Sequence, residues 1–501
     1  MAPANQLPPT LFRGAGERPR MITGSEMAVV DENAAALGVP REQLMESSGN
    51  AVARVVREVA ADDATVRVVA GRGNNGGDGL VAARFLDGYD LSVTLLGRPG
   101  AITTAITREN WTALQRGAYD TSVVRDSTAF AVGDADVVVD AILGTGISGD
   151  LREPARTAAE RINEADATVV SVDVPSGLDA ETGRLAEGTV EPDHVVTFHD
   201  TKPGLADLDA AVTVADIGIP EAAELFVERG DLTRLDDRRQ DSHKGDNGEV
   251  LVIGGGPYAG APGLAGQAAL RAGADLVRVA CPMVVGRELQ GFSENLIVRP
   301  YKGKRLEPKR VGYLLEVARR HDVVVIGPGL GDQEPTLEAV EGILSGYTGT
   351  AVVDADALVR VPDVETAATL ICTPHAGELR AMGGRTAEDW RERMDLVEEF
   401  ADDLGHVVLA KGPYDVVSDG ERTRVSRTGN PGMTVGGTGD VLAGVAGALA
   451  ATQDPLDAAA MAAYANGRAG DRVRDEKGDG LVATDLLAAL PGVLWSDRET
   501  E

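Results

Sequence analysis

Short apolar runs alternate with helix-like segments along the chain, and they do so in two separate blocks. The first block holds "TVRVVA", "LSVTLLG", "ADVVVDAIL", "ATVVSVDVP", "HVVTFH" and "AVTVADIGI". The second holds "EVLVIGGG", "DLVRVACP", "DVVVIGPG", "TAVVDAD", "TLICTP", "HVVLAKG" and "YDVVSDG". A strand that is apolar all round must be covered on both faces, and intervening helices supply that cover, so each block predicts a largely parallel sheet in a three-layer α/β domain. The alternation stops near Pro220, where "VERGDLTRLDDRRQDSHKGDNG" is charged and poor in strand formers. No repeat aligns the two blocks, and 501 residues exceed one ordinary core, so the chain reads as two α/β domains of different origin. The expected layout is a flexible Pro- and Gly-rich tail over 1–20, a first domain over 21–225, a linker over 226–240 and a second domain over 241–497. Ahead of the first sheet, "SEMAVVDENAAALGV" and "REQLMESSGNAVARVVREVA" have the apolar spacing of two amphipathic helices, broken at Gly38–Pro40.

Charge narrows the partners. A net charge of −31 argues against nucleic acid, whose binding depends on clustered Lys and Arg. No apolar run reaches the roughly 18 residues of a membrane helix, and no basic segment followed by an apolar core opens the chain, so neither membrane insertion nor export is expected. Only seven of the 48 basic residues are lysine, against 79 Asp and Glu. A surface of that kind is what a high-salt, halophilic cytoplasm favours, since screening suppresses self-repulsion; the alternative is an acidic mesophilic enzyme. Cys281 and Cys372 lie far apart without C-x-x-C spacing, and the six histidines form no metal-ligand motif, which fits a reducing, cytoplasmic setting. A homo-oligomer is the expected assembly.

In open parallel sheets, ligands gather at the carboxyl ends of strands. The first block has four unusual loops there: "GRGNNGGDG", "DAILGTGISGDLREP", "SVDVPSGLDAETG" and "TFHDTKPG". Gly71, Gly73 and Gly76 match the G-x-G-x-x-G spacing of dinucleotide sites, yet a loop that only cradles phosphate has little use for two asparagines and an aspartate. One reading is local: Asp140 caps a helix, while Ser176 and Asp179 hold a turn. The other is convergent: Asn75, Asp140 and Ser176 present three oxygens suited to a hard cation. Lys202, the only lysine of this half, is either a surface salt-bridge residue or a partner of that site.

This constellation strongly resembles the NAD(P)H-hydrate epimerase domain over about residues 20–225. The resemblance implies that the hydrated nicotinamide nucleotides (NADHX and NADPHX) contact Asn74, Asn75, Gly76, Gly77 and Asp78, together with Gly144, Thr145, Gly146, Ile147, Ser148, Gly149 and Asp150. It also implies a K+ ion on Asn75, Asp140 and Ser176, with Asp173 as the substrate-contacting carboxylate. Exchanging the two epimers requires a proton relay, for which Asp173 is the candidate catalytic residue.

The second block carries the most specific stretch, "NPGMTVGGTGDVLAGVAGALA". Gly436, Gly437 and Gly439 allow a tight turn whose N–H groups converge, and the helix that follows turns its positive end to the same spot, so an anion is expected there. Asp440 would repel that anion unless it is needed as a base, and phosphoryl transfer needs one to take the proton of the attacking hydroxyl. A plain helix N-cap would not use so many glycines. Lys411 is either a solvated charge or, at a strand end before glycine, a phosphate contact. His375 satisfies a loop carbonyl or faces ligand, and Asp354 and Asp356 position ligand or cap a helix.

This half is similar to ribokinase-like enzymes, most closely to their NAD(P)H-hydrate dehydratase branch over about residues 235–495. The resemblance implies that Ala261, Gly329, Gly331, His375, Ala376, Gly377, Glu378, Leu379, Arg380 and Ala381 face the hydrate, with the catalytic Asp440 on its hydroxyl. ADP with Mg2+ would be held by Lys411, Gly412, Pro413, Tyr414 and Asp415, and by Asn430, Pro431, Gly432, Met433, Thr434, Val435, Gly436, Gly437, Thr438 and Gly439. The implied activity is bifunctional repair: epimerisation of the R and S hydrates, and ADP-dependent dehydration of the S hydrate to AMP, phosphate and NAD(P)H. Two other readings compete. One is a small-alcohol kinase joined to a nucleotide-binding regulatory domain; the other is a chain whose first half is a non-catalytic scaffold.

Overall fold

β-Branched residues suit a pleated, buried surface, and every apolar run quoted above forms a strand. The computed structural model describes residues 21–146 and 149–496. The chain divides into two units between Glu221 and Ala222.

The first unit holds one sheet of seven parallel strands: β1 (Thr65–Ala70), β2 (Asp90–Leu96), β3 (Asp120–Val124), β4 (Val137–Ala141), β5 (Thr168–Val172), β6 (His194–Phe198) and β7 (Ala211–Ala215). Their order is β3-β2-β1-β4-β5-β6-β7. The chain winds outward from β1 to β3, then returns beside β1 and winds the other way. This leaves a crevice at the carboxyl ends of β1 and β4, where such sheets bind ligands. The sequence reading missed β3, an edge strand whose "DTSVV" has no sustained apolar run. The two amphipathic helices form as Gly24–Ala36 and Arg41–Val59. Thr23 and Glu26 close a capping box at the first, each side chain accepting the other's backbone N–H.

The second unit holds nine strands: β8 (Glu249–Ile253), β9 (Leu276–Pro282), β10 (Ile297–Tyr301), β11 (Val323–Ile326), β12 (Thr350–Val353), β13 (Thr369–Cys372), β14 (Val407–Ala410), β15 (Asp415–Ser418) and β16 (Thr423–Ser426). Their order is β10-β9-β8-β11-β12-β13-β14-β15-β16, parallel as far as β14 and antiparallel beyond it. Again the winding reverses, here between β8 and β11. The unexpected strands β10 and β16 are edge strands with polar or proline-containing sequences. The helix Thr438–Leu449 is built from small residues because it is squeezed on two sides. A side chain on Gly444 would overlap the Ala265 carbonyl of the helix Gly260–Arg271, and one on Gly447 would overlap Val325 of β11.

The segment expected as a linker, 226–240, is corrected in its first part. Val227 donates its N–H to the Val425 carbonyl at 2.9 Å, Asp231 pairs with Arg424 at 2.8 Å, and Leu232 is fully buried. The three buried apolar residues Phe226, Leu232 and Leu235 anchor a stretch whose charges suggest a solvated segment. No helix among the described residues is long and apolar enough to cross a membrane.

Candidate active sites

In the first unit, "GRGNNGGDG" is only in part a loop. The helix begins at Asn74 and runs to Phe85, so the two asparagines and Asp78 project from its first turns, not from a loop ahead of it. Glycine makes this possible: a side chain on Gly71 would overlap the Ile142 carbonyl, and one on Gly76 the Gly71 carbonyl. Gly77 likewise has Thr107 Oγ1 only 2.5 Å from where a Cβ would stand. The helix is thereby pressed onto the crevice. Over the crevice lies a cavity of about 1030 Å³, whose lining includes Asn74, Asn75, Asp78, Gly144, Thr145, Gly146, Gly149, Asp150 and Asp173. Ile147 and Ser148 lie outside the described residues.

Under the cavity floor, the three expected oxygen donors meet around Leu143. Asn75 Nδ2 donates to the Leu143 carbonyl at 2.9 Å, and Ser176 Oγ accepts the Leu143 N–H at 3.0 Å. The fully buried Asp140 accepts from Ser176 Oγ at 2.6 Å, Ser176 N at 2.9 Å and Ser171 Oγ at 2.9 Å. Burial pushes the Asp140 pKa up, and the groups that offset it are neutral hydroxyl and backbone donors. The helix-cap reading of Asp140 therefore fails, because its carboxylate is spent on β5 and on the turn after it.

Beside this floor stand four ionisable groups on one cavity wall: Asp31, Asp78, Asp173 and Lys202. Asp173 adopts a left-handed backbone, φ +64°, which aims it off the end of β5. Its Oδ1 accepts from Thr197 Oγ1 at 3.1 Å and lies 3.5 Å from Lys202 Nζ. Lys202 is 1% exposed and donates to the Phe198 and Asp200 carbonyls at 3.0 Å each, which rules out the surface salt-bridge reading. Burial, reinforced by the Asp173 charge, raises the Asp31 pKa to about 6; burial together with Asp173 and Asp31 lifts Asp78 well above the usual carboxylate range.

In the second unit, Gly437 has φ +100° and precedes the helix Thr438–Leu449, so its turn is open only to glycine. Asp440 lies in that helix's first turn, and a Cβ on Gly439 would be 3.4 Å from Lys411 Nζ. Lys411 Nζ is 3.0 Å from Asp354 Oδ1 and 3.6 Å from Glu378 Oε2. Burial lowers the lysine's pKa, but the two carboxylates overcome this and raise it. For Asp440, burial and the charges of Asp354 and Glu378 push the pKa up to about 7, against the pull of Lys411. The buried Asp354 also accepts from Thr373 Oγ1 at 2.7 Å, so it orients the lysine and caps no helix by its side chain. Asp356, by contrast, accepts the N–H of Gly331.

The other expected residues divide. Ala261, Gly329 and Gly331 come together beyond β8 and β11: a Cβ on Gly329 would be 3.3 Å from that of Ala261, and one on Gly331 would be 3.0 Å from Pro257. His375 is exposed and caps the helix Ala376–Ala381, its Nδ1 accepting from Gly377 N at 2.9 Å and Glu378 N at 3.1 Å. Leu379 is buried in the core, which removes it from any ligand surface. Asn430 accepts the Gly432 N–H and donates to Asp471 at 3.0 Å, holding the turn that leads to Gly436. Tyr414 stacks on Trp390 with ring centroids 5.4 Å apart, and Asp415, raised to about 6 by burial, ties back to Gly412 N.

Comparison with known proteins matches each unit separately and the chain as a whole. Residues 250–492 match the family described as NAD(P)H-hydrate dehydratase, and residues 41–204 match the family described as YjeF-related protein N-terminus. A bifunctional NAD(P)H-hydrate repair enzyme of Methanothermobacter thermautotrophicus is 43% identical, covering 94% of each chain. One of Pyrobaculum aerophilum is 46% identical, covering 94% of this chain and 98% of that protein. The chain belongs to the bifunctional NAD(P)H-hydrate repair enzymes. Among solved structures, the Bacillus subtilis ADP/ATP-dependent NAD(P)H-hydrate dehydratase, co-crystallised with ATP and Mg2+, is 27% identical with a TM-score of 0.50, covering 55% of this chain and 99% of that one.

For a repair enzyme of this family, two groups at the sites went unread in the sequence: Asp31 and Arg72, both on the cavity wall. The signal for Asp31 was an acid beside the buried Val29, Val30, Asn33 and Ala34. Arg72 lies inside the glycine-rich stretch "GRGNNGGDG", where its spacing carries no signal of its own.

Proposed function

We propose that the two units repair hydrated NADH and NADPH in sequence, the first equilibrating the R and S hydrates and the second dehydrating the S form at the expense of ADP. The observation that carries the reading is Asp440, a carboxylate with a pKa of about 7 at the mouth of a glycine turn and beside a lysine. Asp440 takes the proton of the C6 hydroxyl as the terminal phosphoryl group of ADP passes to that oxygen and AMP leaves. Phosphate then departs from C6 with the bonding electrons, and a proton lost from C5 completes the C5=C6 double bond. Lys411 and the N–H groups of the Gly436–Gly439 turn offset the charge on the transferred group. Mg2+ accompanying the nucleotide supplies further charge neutralisation.

In the first unit the hydrate is a hemiaminal, and its C6 can invert by opening and reclosing. Asp173, held by Lys202 and Thr197, takes the hydroxyl proton as the C6–N1 bond breaks, and N1 receives a proton from Asp31. Rotation about C5–C6 and the reverse transfers close the ring on its other face. The hard donor set of Asn75, Asp140 and Ser176, with Asp140 buried among neutral partners, suits K+; these residues would hold such an ion, and it would supply positive charge beneath the hydrate. Mixed NADPH hydrates incubated with ADP, Mg2+ and high potassium test the whole reading. Recovery of the full hydrate pool as NADPH, with one phosphate released per turnover, is the expected result. A stable phosphorylated product would instead mark a kinase, and recovery of the S fraction alone would leave the first unit without its activity.

A further inference from the structure

We infer that Arg72 reads the 2′-phosphate of the substrate, so that the first unit favours the NADPH hydrate over the NADH hydrate; this rests on the epimerase reading above. The cavity is lined at the carboxyl ends of five neighbouring strands, by Leu96 at the end of β2, Gly71 after β1, Ile142 after β4, Asp173 after β5 and Phe198 at the end of β6. Four strand spacings come to about 19 Å, enough for a dinucleotide lying across the crevice. The proton acceptor Asp173 and the Lys202 that holds it stand at the β5–β6 end, which places the hydrated ring there. The adenosine half then extends toward β2.

In dinucleotide-binding sheets of this order, the residue type near the end of β2 selects the cofactor: an acid hydrogen-bonds the ribose 2′-hydroxyl, whereas an arginine accommodates the 2′-phosphate. This chain has no acid there. β2 runs into Leu96, Gly97 and Arg98, and the Arg72 side chain is laid over Gly97, its Cδ 2.9 Å and its Nε 3.2 Å from where a Cβ at Gly97 would stand. Gly97, at φ +112°, keeps that platform free of a side chain. The charge of Arg72 is also left uncommitted. In a chain with 79 acidic against 48 basic residues, no carboxylate among the described residues is ion-paired with it. Arg41, on the same cavity wall, is by contrast paired with Glu32. A guanidinium held against glycine and lacking a counter-ion matches a dianionic phosphate in charge and in donor geometry.

The test compares epimerisation of R-NADPH hydrate and R-NADH hydrate by the full-length protein, followed by chromatographic separation of the epimers. Arg72→Ala should cut kcat/KM for the NADPH hydrate by about 10- to 100-fold, mostly through KM, and that for the NADH hydrate by about 2-fold at most. Arg72→Lys should restore part of the preference. Dehydration of pure S hydrate by the same variants should be unchanged, which excludes general misfolding. An equal loss on both hydrates, or no loss on either, overturns the inference while leaving the epimerase reading intact. A selectivity change produced by Arg152→Ala, the arginine that lines the same cavity in the segment after β4, but not by Arg72→Ala also overturns it. Wild-type protein that interconverts neither hydrate sinks the epimerase reading and this inference together.

Discussion

Replacing Asp440 by asparagine removes the proposed base while keeping the shape of the side chain. The pKa of about 7 has three sources that can be moved separately: burial, the charges of Asp354 and Glu378, and the opposing charge of Lys411. With that value, about 90% of Asp440 is ionised at pH 8 and about 10% at pH 6, so kcat/KM for dehydration should fall about tenfold for each unit below 7. Loss of the base in Asp440→Asn should cost about 10²- to 10⁴-fold, or roughly 3–5 kcal/mol of barrier, and should flatten the profile. Lys411→Met removes the charge that lowers the pKa and should carry the acid limb to higher pH, besides weakening nucleotide binding. Asp354→Asn should carry the limb to lower pH. The assay is the rate of nicotinamide absorbance recovery from pure S hydrate at saturating ADP, measured across the pH range. A wild-type profile that stays flat between about pH 5.5 and 8.5 would refute the reasoning, as would an Asp440→Asn variant that keeps more than about a tenth of wild-type activity. Stability should move the other way. A carboxyl whose folded pKa is raised takes up protons on folding, so the stability it lends at low pH is lost as pH rises from the unfolded value of 3.8 toward 7. Asp440→Asn should therefore raise the Tm at pH 8.

Asp31→Asn should slow consumption of the R hydrate by about 10²-fold or more while leaving turnover of pure S hydrate unchanged. In the wild type, epimerisation should decline as pH rises past about 6, where Asp31, facing Arg41, Asp173, His199 and Lys202, loses its proton; a rate insensitive to both changes would clear Asp31 of the role. Ser176→Ala takes the Oγ hydrogen bond from Asp140 while leaving that from Ser176 N, and removes a proposed ligand, so epimerase activity should require markedly more potassium, and a potassium titration identical to wild type would discount the ion site. Gly437→Ala would force a side chain into φ +100° and within 2.7 Å of Leu264 and 2.9 Å of Ala483, destabilising the second unit by about 1–3 kcal/mol and weakening ADP binding, both readable by denaturant titration with and without nucleotide.

Much of the fold was legible because the buried strands are continuous valine-rich runs, whose hydrophobicity survives without knowledge of their neighbours. The edge strands β3, β10 and β16 were not, since an edge strand needs little apolar surface and is defined by the partner it pairs with. The N-N-G-G-D stretch misled for a related reason. Its glycines signalled a loop, whereas they serve a helix pressed against the Gly71 backbone and Thr107, contacts that sequence spacing does not reveal.

The sequence by itself determined the two α/β units and the glycine turns at their strand ends, and it singled out Asp440, Asp173, Asn75, Asp140 and Ser176 as candidates. The turns depend on local backbone chemistry, in which glycine most readily takes positive φ or allows close approach. Tertiary structure alone decided which charges meet. Folding buried Lys202 beside Asp173, set Asp354 and Glu378 against Lys411, and brought Asp31 into the cavity beside residues far along the chain. A protonation state depends on the distance to other charges and to water, and neither distance exists until the sheet has gathered its strand ends together.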